Sequence, residues 1–209
     1  MAKVLKGDFS RRLKAERKPP QGDRPVPSYQ LKLSMPFSDP LIWRRIQVPG
    51  SMTLAGLHRT IQVCMNWSDR ETHQFLVGKI FYSPGFGIEK MERKPEYDEA
   101  RFELHQLEEP MKFIFTYLYD GGEGWELEIT LEEVLEKRDR PAHPVLVDGA
   151  YACPPEDVGD IHQYQALLLA GEQASAYPAE IKIEIPGEND FYPHQFDAAA
   201  INARLENIV

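Results

Sequence analysis

Residues 111–131 constrain the fold more than any other stretch of the chain. Met111, Phe113, Phe115, Tyr117 and Tyr119 alternate with Lys112, Ile114, Thr116 and Leu118, which is the two-residue period of a strand packed on both faces. A turn of Asp120, Gly121, Gly122, Glu123 and Gly124 follows, and its glycines supply the positive φ angles a tight reversal needs. Beyond it Trp125, Leu127, Ile129 and Leu131 alternate with Glu126, Glu128 and Thr130. The second strand therefore has one apolar and one acidic face, and the pair reads as a central hairpin with one wet side.

A chain of 209 residues buries about 70% of its unfolded surface, enough for one main core. Cys64 and Cys153 are the only two cysteines and form no CxxC pattern, which excludes a zinc knuckle and a disulfide scaffold. The basic N-terminus is followed by no apolar run, so no signal peptide or membrane span is expected and a reducing cytoplasm is the default.

The net charge of −9 hides an asymmetry. Residues 1–27 carry Lys3, Lys6, Arg11, Arg12, Lys14, Arg17, Lys18 and Arg24, with prolines in their second half, and read as a flexible basic arm ahead of an acidic body over 28–209. Such an arm can hold phosphates through counterion release, serve as a solubilising tail, or fold back on the acidic body.

Along the body, Tyr29, Leu31, Leu33 and Met35 mark a first strand, and residues 41–48 a second. Alternation puts Ile42, Arg44, Ile46 and Val48 on one face and Trp43, Arg45 and Gln47 on the other. Arg44 thus sits on an apolar face, where a buried charge calls for a carboxylate partner. Thr53 is a helix N-cap, and Leu54, Leu57, His58, Ile61, Cys64 and Met65 form the buried stripe of a helix ending near Asn66. His58 lies on that stripe, as a satisfied core histidine or as a ligand or acid/base group.

Residues 73–77 and 80–82 read as strands, 83–100 as a long surface loop, and 101–107 as a short helix or strand. Residues 132–138 read as a helical turn or two, and 145–147 as a short apolar segment. In the Cys153, Pro154, Pro155, Glu156, Asp157 loop, the acidic pair stands at the first turn of a helix that stops at Gly171. Ile181, Ile183 and Ile185 mark an edge strand. Phe196, Asp197 and Ile201 match a hydrophobic staple around the N-cap of a last helix. The expected fold class is α+β: a single compact domain with a mixed, mainly antiparallel sheet packed by about three helices.

Trp43, Arg44 and Arg45, the helix with Leu57, His58 and Trp67, the Tyr119, Asp120, Gly122, Trp125 turn, the Cys153 to Gly159 loop and the closing Phe196, Asp197, Asn202 recur in one order in a known family. Over about residues 28–205 the chain resembles the plasmid pRiA-type Orf-three-like family, found as passengers on insertion elements and in bacterial and archaeal genomes. The resemblance implies a compact α+β domain with a mixed sheet and no particular activity. The family's turn usually reads Tyr-Asp-Phe-Gly-Asp-x-Trp-x-His, whereas this chain has Gly121, Glu123 and Leu127 at three of those places.

Of two functional readings the first is favoured, because the turn lacks the family's histidine and the acidic residues show no recognisable ligand spacing. One is a binding or adaptor module for protein or nucleic acid, with Trp43, Tyr117, Tyr119 and Trp125 shaping a cleft, and with Arg44, Arg45, His58, Asp120, Glu156 and Asp157 as candidate contacts. No cofactor is required for it. The other is a hydrolase or nuclease assisted by a divalent cation on Asp120, Glu123, Glu156 and Asp157. A phosphate cradle is disfavoured, because the glycine turn leads into a strand and not into a helix N-terminus. Cys153 near His162 has the composition of an activated thiol.

Overall fold

The period-two segments become strands of one open sheet, eight among the described residues. The computed structural model describes residues 26–85, 96–112, 114–121, 124–135, 140–174, 181–183 and 191–208. The strands are β1 (Ser28–Ser34), β2 (Trp43–Pro49), β3 (His73–Val77), β4 (Ile80–Ser83), β5 (Glu96–Asp98), β6 (Phe115–Tyr119), β7 (Trp125–Leu135) and β8 (Val145–Ala150). Their order is β5-β4-β3-β6-β7-β1-β2-β8. All neighbours are antiparallel except β4 and β5. Among the described residues four helices accompany the sheet: α1 (Leu54–Met65), α2 (Glu108–Met111), α3 (Ile161–Ala174) and α4 (Ala198–Leu205). The fold is α+β, as expected.

The central hairpin pairs Phe115 with Ile129, Tyr117 with Leu127 and Tyr119 with Trp125. All six side chains are buried on one face. The register carries that face outward to Leu31, Leu33, Ile46 and Val48 on one side and to His73 and Phe75 on the other. Helix α1 covers it. Thr53 Oγ1 accepts from the Gly56 N–H, and Asn66 closes the helix at φ 58°. The opposite face, with Trp43, Arg45, Gln47, Lys32 and Glu128, stays partly exposed.

Several expectations are corrected. Residues 111–114 do not join β6, since Met111 ends α2; Phe113 lies outside the described residues. Residues 132–135 are strand, not helix, because β7 pairs with β1 from Glu128 to Leu135 and this pairing overrides the helical propensity of Glu132 to Leu135. The surface loop contains β5, parallel to β4. Residues 99–101 and 104–107 form 3₁₀ turns. Glu156 and Asp157 form their own 3₁₀ turn ahead of α3. It is Asp160 that caps α3, accepting from the His162 and Gln163 N–H groups. Helix α3 runs past Gly171, where a Cβ would stand 3.0 Å from Ile181 Cγ2. Ile183 makes one antiparallel bridge to Phe191 and joins no strand of the sheet, and Ile185 lies outside the described residues. So do residues 1–25 of the basic arm.

Asn202 of α4 occupies the place of a ninth strand. Its Oδ1 accepts from the Leu146 N–H at 2.8 Å and its Nδ2 donates to the Leu146 carbonyl at 2.9 Å, closing the outer side of edge strand β8. Asn202→Ala is expected to cost about 2 kcal/mol, one per hydrogen bond. A shift of the urea midpoint worth less than about 0.5 kcal/mol would show that water replaces the amide at no cost.

Candidate functional site

Four chain segments converge beneath the sheet on one polar cluster. The α1 stripe brings in His58 and Gln62, β3 brings His73 on its inward face, the 3₁₀ turn after β5 brings Glu99, and β6 brings Tyr117. All five are buried. Asp69 reaches the cluster from the exposed segment after α1, with φ at 57°.

The hydrogen bonds form a closed circuit. Gln62 Oε1 accepts from the Asp69 N–H at 3.0 Å, which turns Gln62 Nε2 toward Tyr117 Oη as donor at 2.9 Å. Tyr117 then donates to His58 Nδ1 at 2.9 Å, leaving the proton of His58 on Nε2, where it is donated to Asp69 Oδ1 at 2.9 Å. His58 is therefore neutral. Burial, helped by the adjacent His73 and opposed by Asp69 and Glu99, pushes its pKa down to about 4.

His73 stacks on His58 with ring centroids 3.5 Å apart and planes 4° from parallel. Its Nε2 meets both Glu99 oxygens at 2.9 and 3.0 Å. Its Nδ1 makes no hydrogen bond among the described residues. One nitrogen from each imidazole and one oxygen of Asp69 lie within 4.8 Å of one another. No other group of three or more His, Cys, Asp or Glu among the described residues has that spacing.

A second cluster adjoins the first through the Asp69 segment. Glu156 accepts from the Ser68 N–H at 2.9 Å, from the Ser68 hydroxyl, from Tyr119 Oη at 2.5 Å and from Arg70 Nη2 at 3.4 Å. Burial raises the Glu156 pKa, but the bonds from Ser68 and Tyr119 outweigh it and hold the carboxyl below its ordinary value. Tyr119 Oη in turn accepts from the Arg70 and Glu71 N–H groups. Trp67 donates from Nε1 to the Pro154 carbonyl at 3.0 Å and stacks on Tyr119.

The residues singled out from the sequence are spread over several places. Tyr119 and Glu156 meet directly, and Asp157 joins them through Arg70 at 3.1 Å. Trp125 packs beside Trp67 in the core. Asp120 is exposed at the hairpin turn with φ 63°, and Glu123 lies outside the described residues. Asp120, Glu156 and Asp157 do not come together as one ligand group. Trp43 and Arg45 lie on the opposite face of the sheet from Tyr117, Tyr119 and Trp125, so these aromatics line no common cleft. Lys32 and Arg45 flank the Trp43 ring, and Arg45 forks onto Glu132 at 2.6 and 3.0 Å. Cys153 is buried and its thiol pushed up to about 12, which makes it inert and not activated.

Arg44 is buried as expected, but no carboxylate among the described residues pairs with it. Its guanidinium donates to the carbonyls of Cys64 at 3.1 Å and of Trp43, Ala150 and Tyr151 at 2.8 Å each, and its face lies 4.6 Å from the Phe196 ring centre. Cys64 stands in the last turn of α1, where unpaired carbonyls and the helix dipole favour a cation.

The family model for plasmid pRiA4b ORF-3-like proteins matches residues 27–200. The chain belongs to this family. It is 31% identical over 176 residues to the uncharacterized protein y4hQ of Sinorhizobium fredii, covering 83% of this chain and 85% of that one. It also resembles the crystal structure of a protein of unknown function, MM3350, from Methanosarcina mazei Go1. That match has a TM-score of 0.68 and 27% identity, and covers 84% of this chain and 97% of the other. No helix among the described residues is long and apolar enough to cross a membrane. Leu127, where the resembled turn pattern carries histidine, is buried directly across from Tyr117 of the polar cluster in this pRiA4b ORF-3-like chain.

Proposed function

We propose that the chain binds one divalent transition-metal ion through His58, His73 and Asp69. The observation that carries the reading is that two buried imidazoles and a half-exposed carboxylate already stand within 4.8 Å of one another. Two nitrogens and one oxygen suit zinc, iron, cobalt or nickel better than calcium or magnesium. Glu99 on His73 Nε2 is the carboxylate that commonly orients a metal-bound histidine, which leaves Nδ1 as the nitrogen to offer an ion. Binding through His58 Nε2 moves its proton to Nδ1 and turns Tyr117 Oη from donor to acceptor, so the tyrosine hydroxyl hydrogen gives up its bond to His58. With the ring planes 4° from parallel and the centroids 3.5 Å apart, the in-plane lone pairs converge on one ion only after one ring tilts about its soft χ2.

Three protein ligands leave a further coordination position open, the arrangement of sites that activate water for hydrolysis. The metal-assisted reading is thus favoured, with its ligands on α1, β3 and the Asp69 segment and not on the acidic loops. The adaptor reading keeps one support, the partly exposed Trp43 with the Lys32 and Arg45 cations over its ring.

Chelator-stripped protein is expected to take up one equivalent of zinc or cobalt, with a rise in melting temperature that His73→Ala abolishes. Uptake that survives both His73→Ala and Asp69→Asn, or no uptake by the wild-type protein, would overturn the reading.

A further inference from the structure

Glu156 has no place in the proposed ligand set, yet it is the most heavily bonded acidic side chain among the described residues. We infer that Glu156 is a positioning residue that holds Asp69 against the two imidazoles. The inference rests on the metal reading for its purpose and on the geometry alone for its content.

Asp69 sits in the left-handed region, at φ 57°, a conformation that aspartate tolerates but leaves readily for ordinary φ angles when nothing holds its neighbours. Both flanks end on the same carboxylate. On one side the Ser68 N–H and hydroxyl donate to Glu156 Oε2; on the other, Arg70 Nη2 does so at 3.4 Å. Tyr119 closes the arrangement, since its hydroxyl donates to Glu156 Oε1 while accepting from the Arg70 and Glu71 N–H groups at 3.0 and 3.2 Å. The Glu156 side chain is only 8% exposed, although Asp69 and Arg70 are more than half exposed. A buried anchor thus fixes an otherwise exposed segment. Without it, residues 68–70 are free to relax toward ordinary φ angles, which carries the Asp69 carboxylate away from His58 Nε2.

The test reads the His58 ring itself. In the metal-free wild-type protein, nitrogen-15 NMR is expected to show a slowly exchanging His58 Nε2–H held by Asp69. In Glu156→Ala that signal is expected to be lost to exchange, and in Glu156→Gln, which keeps an acceptor for Ser68, to be partly retained. In the zinc-loaded proteins, release to a chelator is expected to be at least tenfold faster in Glu156→Ala than in wild type, with Glu156→Gln between. An unchanged His58 Nε2–H in Glu156→Ala overturns the inference, whatever the stability of that variant. If wild-type protein takes up no metal, the metal reading falls and the NMR signal alone decides the positioning role. Should Glu156→Ala not fold, Tyr119→Phe removes the second anchor and is read in the same way: loss of the signal supports the inference and its persistence overturns it.

Discussion

Replacing Arg44 by alanine is expected to destabilise the protein by about 4 kcal/mol or to abolish folding, because a buried guanidinium cannot be removed without orphaning what it serves. Four carbonyls, those of Trp43, Cys64, Ala150 and Tyr151, accept from its three nitrogens, and they belong to β2, the end of α1 and the segment leaving β8. The side chain therefore ties the edge of the sheet to the helix that covers its centre. Alanine also leaves a hole beside Phe196 and above Gly149, whose missing side chain gives the Arg44 stem room to pass. Arg44→Lys separates charge from geometry: an ammonium keeps the charge but cannot fork onto Cys64, Ala150 and Tyr151 at once, so a loss of about half the alanine value is expected. Urea unfolding of the three proteins checks this. A loss below about 1 kcal/mol in Arg44→Ala would mean that water satisfies the carbonyls and that the cage is not structural.

The strand period placed Arg44 on the buried face without revealing its partners. A carboxylate can be looked for in a sequence; a set of backbone carbonyls cannot, since every residue has one and only the tertiary fold aims them. The same limit governs the polar cluster. His58 stood out on the α1 stripe, and His73 begins a segment in which it alternates with Phe75 and Val77, so each was readable as inward-facing. That they stack depends on which turn of α1 lies over β3. Asp69 and Glu99 come from a left-handed turn and a 3₁₀ turn with no period at all. Helical propensity misread residues 132–135, because neighbouring strand β1 supplies a ladder that outweighs local preference. The Tyr119 and Glu156 motifs were legible as special, but not as supports for a segment carrying another residue's side chain.

Acidifying the metal-free protein is expected to cost about 3 kcal/mol of stability between pH 6.5 and 4, through His58. Burial and the stacked His73 lower its pKa from 6.5 to about 4, while Asp69 and Glu99 pull the other way and lose. In the unfolded chain the imidazole takes up a proton near 6.5; in the folded protein it does so only near 4. Between those values the unfolded state binds more protons, so stability is complete above pH 6.5 and falls as the pH drops toward 4. Protonation also breaks the circuit, because His58 Nδ1 then carries a hydrogen and can no longer accept from Tyr117. Glu156 contributes with the same sign but lower down, below its ordinary 4.5, since its folded pKa is depressed. The two windows are therefore separable. Urea unfolding at pH 7, 6 and 5 in the presence of chelator should give a slope that His58→Gln removes, with a lower stability for the variant at pH 7. A slope of equal size in wild type and His58→Gln would place the titrating group elsewhere and remove the argument for a neutral His58. That neutral form is the one a metal ion requires, so zinc held by the folded protein should be released only as the pH falls to about 4, the folded value, and not at the 6.5 where stability begins to fall.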